Sequence, residues 1–341
     1  MATFVRTQEI EHEIGPTGRF SLRVTSPDVE LRAVEGGAAR VRVQFEVRAP
    51  SESEANDIFE RVRYHVAEGS GSLEVTEPKH GDSGLGTIVR ILGMGSAKIE
   101  ANITAEIPAG ADIAFDGVSA DLTATGFRAV QQYRTVSGDL VLDRLAGEVR
   151  VRGVSSDVSI RADDALRLEM NTVSGDVSAF APRFEELRLV TVSGDIEIEG
   201  ELAQAREHRV ETVSGDLSLG VVGGLTLEVR GLSTDAHVSV PHRSEGSRDR
   251  RRYVIGDGEA SLLFSSMSGD VMARPTRRFA SAPEPPTPPA PPSMPSQPEP
   301  RMAPVAPVSA DEQMRILEAV ERGEMDVTEA SRRLSGRSTD A

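Results

Sequence analysis

From residue 118 onward apolar and polar residues alternate at strand spacing, and the alternation restarts at regular intervals. A single tetrapeptide marks each restart: Val118-Ser-Ala-Asp121, Val136-Ser-Gly-Asp139, Val154-Ser-Ser-Asp157, Val173-Ser-Gly-Asp176, Val192-Ser-Gly-Asp195, Val213-Ser-Gly-Asp216, Leu232-Ser-Thr-Asp235 and Met267-Ser-Gly-Asp270. Successive Asp residues lie 18, 18, 19, 19, 21, 19 and then 35 positions apart. Apolar residues follow one and three positions later, as in Leu140/Leu142, Val158/Ile160, Ile196/Ile198 and Leu217/Leu219. A second alternation fills the rest of the unit, as in Val149/Val151, Leu166/Leu168/Met170, Leu187/Leu189 and Leu225/Leu227/Val229. Side chains two apart on a strand share a face, so each unit predicts two or three short strands with one apolar side.

A unit of about 19 residues cannot bury its own apolar side, whereas stacked units share a continuous core. The pattern therefore predicts an all-β chain wound as a parallel β-helix, or β-solenoid. At ~4.8 Å per coil, eight coils make a rod on the order of 40 Å long. Carrying strand parity through the tetrapeptide places its first apolar residue and the small residue before Asp inward. The same parity turns Ser and Asp outward, with Thr135, Thr172, Thr191 and Thr212 beside them.

Towards the N-terminus, Val24-Thr-Ser-Pro-Asp28-Val-Glu-Leu31 is a degenerate copy of the unit, so the stack is expected to begin near residue 20. The stretch 51–66 opens on a Ser-x-x-Glu start and carries Ile58, Phe59 and Val62 at helical spacing, which predicts a short helix. An open parallel edge invites aggregation, and this N-terminal region is the natural cover. Residues 1–105 thus read as a β region with a capping helix, and residues 106–278 as the solenoid. The 35-residue interval predicts an insertion near 241–258, a hairpin or loop leaving the stack, before 261–270 supply the last coil. The glycine-flanked apolar segment 84–94 reads as a buried or capping loop, with a self-association or membrane-touching surface as the alternative.

Residues 279–308 are dominated by Pro, Ala, Ser and Glu and predict a disordered, extended linker. Beyond it, Ser309-Ala-Asp-Glu312 and Asp326-Val-Thr-Glu329 are two capping boxes, predicting a helical hairpin over 309–336. Its apolar stripe, Met314, Leu317, Val320, Val327 and Leu334, is too small to fold unaided and is expected to meet another copy or a protein partner, with folding back on the solenoid as the alternative.

Composition narrows the function classes. Aromatic residues make up 4% of the chain, and Val, Leu, Ile and Ala carry the apolar content, which suits thin stacked strands. A net charge of −16 repels a phosphate backbone, so nucleic acid is not an expected partner. The one basic run, residues 248–252, reads as a solvated loop. Cysteine is absent, the first residues lack the apolar core of a signal peptide, and no stretch approaches a membrane span, so a cytoplasmic location without membrane contact is expected. His12, His65, His80, His208, His237 and His242 share no spacing and read as surface or loop residues rather than ligands.

Acid–base catalysis needs carboxylates in unlike environments, and the repeated Asp residues are alike, so no catalytic residue and no cofactor is expected. Aligned Asp139, Asp157, Asp176, Asp195 and Asp216 could instead form a cation ladder, since stacked carboxylates repel by on the order of 1 kcal/mol per pair in water. The competing reading is that each Asp accepts hydrogen bonds from turn amides. A glycan- or peptide-reading face is the third.

The Thr-Val-Ser-Gly-Asp runs at 135–139, 172–176, 191–195 and 212–216 resemble the hallmark of a bacterial candidate-adhesin family of β-strand-repeat domains of unknown function. The likeness spans residues 15–275. The segment from Arg315, with Glu329-Ala330, is similar to a short C-terminal oligomerisation-type domain found in that family. The resemblance implies a right-handed β-helix, a role around the cell envelope or its stress response, and no catalytic residues. Together these readings predict a non-catalytic scaffold or interaction protein. A carbohydrate-active β-helix would need unlike polar residues interrupting the repeat, and none does.

Overall fold

The computed structural model describes residues 2–78, 99–204, 206–247 and 250–276. The chain opens with β1 (Ala2–Glu13), β2 (Arg19–Arg23), β3 (Asp28–Val34), β4 (Ala38–Ala49), α1 (Glu52–Val62), β5 (His65–Gly69) and β6 (Ser72–Thr76). It continues through β7 (Ile99–Pro108), β8 (Asp112–Asp116), β9 (Leu122–Thr125), β10 (Val130–Arg134), β11 (Leu140–Arg152), β12 (Val158–Asn171), β13 (Val177–Val190), β14 (Ile196–Leu202), β15 (Glu207–Glu211) and β16 (Leu217–Val222). It closes with β17 (Leu225–Ser233), β18 (Ala236–Val238), β19 (His242–Ser247), β20 (Arg250–Ile255), β21 (Ala260–Ser268) and β22 (Val271–Pro275). The fold is all-β and solenoid-like.

Two parallel ladders run along the stack, and each coil contributes one strand segment to each. The first joins β6, β2, β8, β10, the second halves of β11, β12 and β13, then β15, β21 and β17. The second joins β7, β3, β9, the first halves of β11, β12 and β13, then β14, β16, β22 and β18. The apolar sides of the two ladders face each other across one core. Along each strand buried and exposed residues alternate, as in Leu140, Leu142, Val149 and Val151 against Val141 and Arg150.

Chain order and spatial order diverge at both ends. The β21/β22 coil, expected to be last, inserts between β15/β16 and β17/β18, which leaves 225–238 as the outermost coil. The pairing explains it. Strand β17 gives its outer edge to β20 in an antiparallel pair, and β20 pairs with β19, so only the inner edge of β17 is open to β21. The insertion is therefore a hairpin that covers the open end of the first ladder rather than leaving the stack. The basic run falls on β20, where Arg250 Nε donates to Glu228 Oε1 at 2.7 Å; Arg250, Arg251 and Arg252 are strand residues, not a solvated loop.

At the N-terminal end the β2/β3 coil sits inside β6 and β7, so backbone pairing runs from this region straight into the repeats. Both ladders then finish in antiparallel pairs, β6 with β5 and β7 with β4, which in turn pairs with β1. Helix α1 forms where the spacing predicts. Ser51 Oγ accepts from the Glu54 amide at 3.3 Å as N-cap, and Ala55, Ile58, Phe59 and Val62 are buried. The Phe59 ring centroid lies 6.4 Å from that of Phe45, and the Arg6 guanidinium sits over the Phe59 ring, 5.6 Å from its centroid. No helix among the described residues is long and apolar enough to cross a membrane. The segment 84–94, the linker 279–308 and the hairpin 309–336 lie outside the described residues.

Candidate functional site along the repeated corner

The tetrapeptide is the corner where the chain passes from the first ladder to the second. Within each ladder parity holds, but across the corner it breaks. Buried residues run Gln131, Tyr133, Thr135 and then Leu140, Leu142; likewise Leu187, Leu189, Thr191 and then Ile196, Ile198. The step from Thr135 to Leu140 is odd, so the side chains between do not continue the strand pattern. The motif threonines are consequently buried, and Thr135, Thr172 and Thr191 donate from Oγ1 to the carbonyls of Ser137, Ser174 and Ser193 at 2.8, 3.3 and 3.1 Å. The expectation of outward threonines and inward valines is thus reversed. Val118, Val136, Val154, Val173, Val192 and Val213 are 43–49% exposed, Met267 57% and Leu232 80%. Two-residue periodicity applies only while the backbone stays extended, and a corner resets it.

A small inward pocket at each corner can be filled from either of two positions. Where the first corner residue is Thr135, Thr172, Thr191 or Thr212, the residue before Asp is Gly138, Gly175, Gly194 or Gly215. Where the first is Gly117, Gly153 or Gly231, the residue before Asp is Ala120, Ser156 or Thr234, and its side chain points inward. A Cβ placed on Gly153 would lie 2.6 Å from Ser156 Oγ and 3.2 Å from Thr172 Oγ1, so the two positions compete for one volume. Gly194 shows why glycine accompanies threonine. Its φ is +116°, in the region that L residues avoid, and a Cβ there would overlap the Gly175 carbonyl oxygen of the preceding coil.

The corners stack in register. Ser137, Ser155, Ser174, Ser193, Ser214 and Ser268 each donate their amide to the corner Val carbonyl of the neighbouring coil at 2.7–3.0 Å. The Asp residues stack through a further bond. Asp121 Oδ1 accepts from the Asp139 amide at 2.8 Å, Asp157 from Asp176 at 2.9 Å, Asp176 from Asp195 at 2.9 Å and Asp195 from Asp216 at 3.2 Å. The series ends with Asp216 accepting from Asp270 at 2.8 Å and Asp270 from Asp235 at 3.0 Å, which retraces the inverted coil order. The amide that donates to each of these Asp residues thus belongs to the neighbouring coil rather than to the same turn.

The structure brings Asp139, Asp157, Asp176, Asp195 and Asp216 into one exposed row, continued by Asp121, Asp270 and Asp235. Among the described residues no group of three or more His, Asp or Glu is gathered to hold a metal ion. Only Asp235 of these eight has an ion-pair partner among the described residues, Arg251 at 3.8 Å. The outer face of the first ladder differs: its Arg and Glu side chains pair across coils, as in Arg150–Glu169 at 3.6 Å and Arg206–Glu186 at 3.1 Å. Met314, Leu317, Val320, Val327 and Leu334 lie outside the described residues.

Two features escaped the sequence pattern. The exposed Val row was hidden by the parity assumption, although the glycine before Asp could have signalled a corner. His208 is fully buried on β15, not a surface or loop residue. Its Nδ1 accepts from the Leu187 amide at 3.1 Å, and its Nε2 bonds the Ala203 carbonyl at 2.9 Å, so the ring is a neutral tautomer with the proton on Nε2. Burial pushes its pKa down, against the raising influences of the Ala203 carbonyl, Glu186 and Glu185.

No curated protein matches this sequence. Solved structures with overall likeness include a candidate lipid-binding protein from Parabacteroides distasonis ATCC 8503, 11% identical over 79% of this chain and 97% of that one, TM-score 0.35. A candidate adhesin from Bacteroides fragilis NCTC 9343 is 12% identical over 79% and 97%, TM-score 0.31. A candidate cell adhesion protein from Clostridium sporogenes ATCC 15579 is 10% identical over 80% and 100%, TM-score 0.24. A family profile matches residues 18–273, most of the chain and all of the repeated corners, and on that match the chain belongs to the Toastrack DUF4097 family.

Proposed function

We propose that the chain is a non-catalytic scaffold, an adhesin-like interaction module in which a right-handed solenoid forms a rigid platform and the terminal hairpin 309–336 drives self-association. The observation that carries this reading is the eightfold repetition of one outward corner on a backbone paired from coil to coil. Such a surface offers many equivalent contacts at fixed spacing, which suits recognition of an extended partner, whereas catalysis draws on unlike groups held in unlike environments. Met314, Leu317, Val320, Val327 and Leu334 supply the apolar stripe of the hairpin.

The test is light-scattering mass of the full chain beside a version ending at Ala282, each with calcium and with chelator. A multimeric full chain and a monomeric truncation support the scaffold. Two monomers, with calcium raising the melting temperature, would instead favour a cation-binding solenoid. The Asp row keeps that second reading open, because its hydrogen bonds engage Oδ1 and leave Oδ2 for another ligand.

A further inference from the structure

The corner carries an apolar row and an acidic row side by side, and their spacing and charge select one kind of occupant. Single exposed apolar side chains are ordinary, but a contiguous row is a contact surface. Here eight follow one another in register, one per coil, at ~4.8 Å, so the row is on the order of 34 Å long. A bound strand would present same-face side chains every ~6.8 Å and fall out of step at once. The apolar seam of an α-helix advances ~5.2 Å per contact, which drifts only ~3 Å along the whole row.

Charge then sets the flanks. The Asp row lies three residues beyond the apolar row in every coil, and seven of its eight members have no ion pair among the described residues. The bond that six of these seven accept from a neighbouring amide leaves the negative charge in place. On the opposite flank the outward residues are mixed in sign, as with Arg134, Arg152 and Glu211. A second copy docked through the same row would bring two acidic rows together. The terminal segment 309–336 is also disfavoured, with seven Asp and Glu against four Arg, a net charge of −3.

We propose that the repeated corner docks a basic amphipathic helix of about 22 residues, lying along the solenoid axis with apolar residues on the Val row and Lys or Arg over the Asp row. This rests on the scaffold reading and names the partner's chemistry.

The experiment titrates the full-length protein onto a labelled synthetic helix of that length, Leu along the seam and Lys on both flanks, beside a twin with Glu in place of Lys. Fluorescence anisotropy should show saturable binding of the Lys helix and none of the twin. Val154→Thr/Val173→Thr/Val192→Thr should weaken binding by about tenfold or more, since the contact loses apolar area at its centre. Asp157→Asn/Asp176→Asn/Asp195→Asn keeps the amide acceptor, so it should leave the unfolding midpoint in place while weakening binding and its salt dependence. Equal binding of the twin would overturn the proposal. So would an unaffected valine variant, which would reduce binding to charge alone. A full chain whose light-scattering mass halves in the valine variant would give the row to a second copy and overturn it too. Self-association through 309–336 is read separately by truncation, so a failed titration faults this surface and a failed truncation faults the scaffold.

Discussion

Exchange of pocket filling at the corner makes a quantitative prediction. Consider Gly194→Ser alone. At φ +116° a side chain costs about 1–2 kcal/mol, and overlap with the Gly175 carbonyl raises the total to about 3 kcal/mol, because backbone of the preceding coil cannot swing aside. The corner could adopt the arrangement seen at Ser156, but the Thr191 side chain already fills the pocket. Now consider Thr191→Gly alone. It removes a buried methyl and the 3.1 Å bond to the Ser193 carbonyl, and it loosens the unfolded chain, together about 2–3 kcal/mol. Independent effects would sum to about 5–6 kcal/mol in the double variant. The sequence at 153–157 carries the double arrangement naturally, so Thr191→Gly/Gly194→Ser is expected to lose only about 1–2 kcal/mol, a coupling of roughly 4 kcal/mol. Urea unfolding followed by far-ultraviolet circular dichroism measures it, since the chain has no Trp. Additivity within about 0.5 kcal/mol would show that the two positions do not share a volume and would refute the reasoning.

Two further outcomes follow from the same geometry. Asp176→Ala removes the acceptor of the Asp195 amide and should cost about 1–2 kcal/mol in urea unfolding, whereas Asp176→Asn, which retains Oδ1, should cost less than about 0.5 kcal/mol; equal losses would mean that charge, not the bond, is what matters. His208 is held neutral, with its folded pKa below the ordinary ~6.5, so its contribution is complete above that value and is lost as pH falls through the lowered one. As pH falls below about 7, melting temperature should therefore drop more steeply in the native chain than in His208→Gln, and parallel curves would contradict the assignment.

Much of the fold was legible. The eightfold tetrapeptide and its flanking alternation sufficed for stacked coils, because a 19-residue interval with two apolar stripes has no other way to bury them. Helix α1 was legible from Ser51 and the spacing of Ile58, Phe59 and Val62. The Asp row was visible as a repeat, but not its chemistry: an acceptor for an amide 18 to 54 residues away in the chain cannot be read from local order.

By itself the sequence determined the repeat, the apolar faces and the identity of the corner, all consequences of local periodicity. Only the tertiary structure decided which way the corner residues point, since the left-handed backbone before Asp resets parity between Thr191 and Ile196. It also decided the coil order, because one edge of β17 is taken by its own hairpin strand β20 and only the other edge is left for β21, so edge pairing, not chain succession, chooses the neighbour. Burial of His208 belongs to the same class, for its two partners, Leu187 and Ala203, come together only when one coil closes against the next.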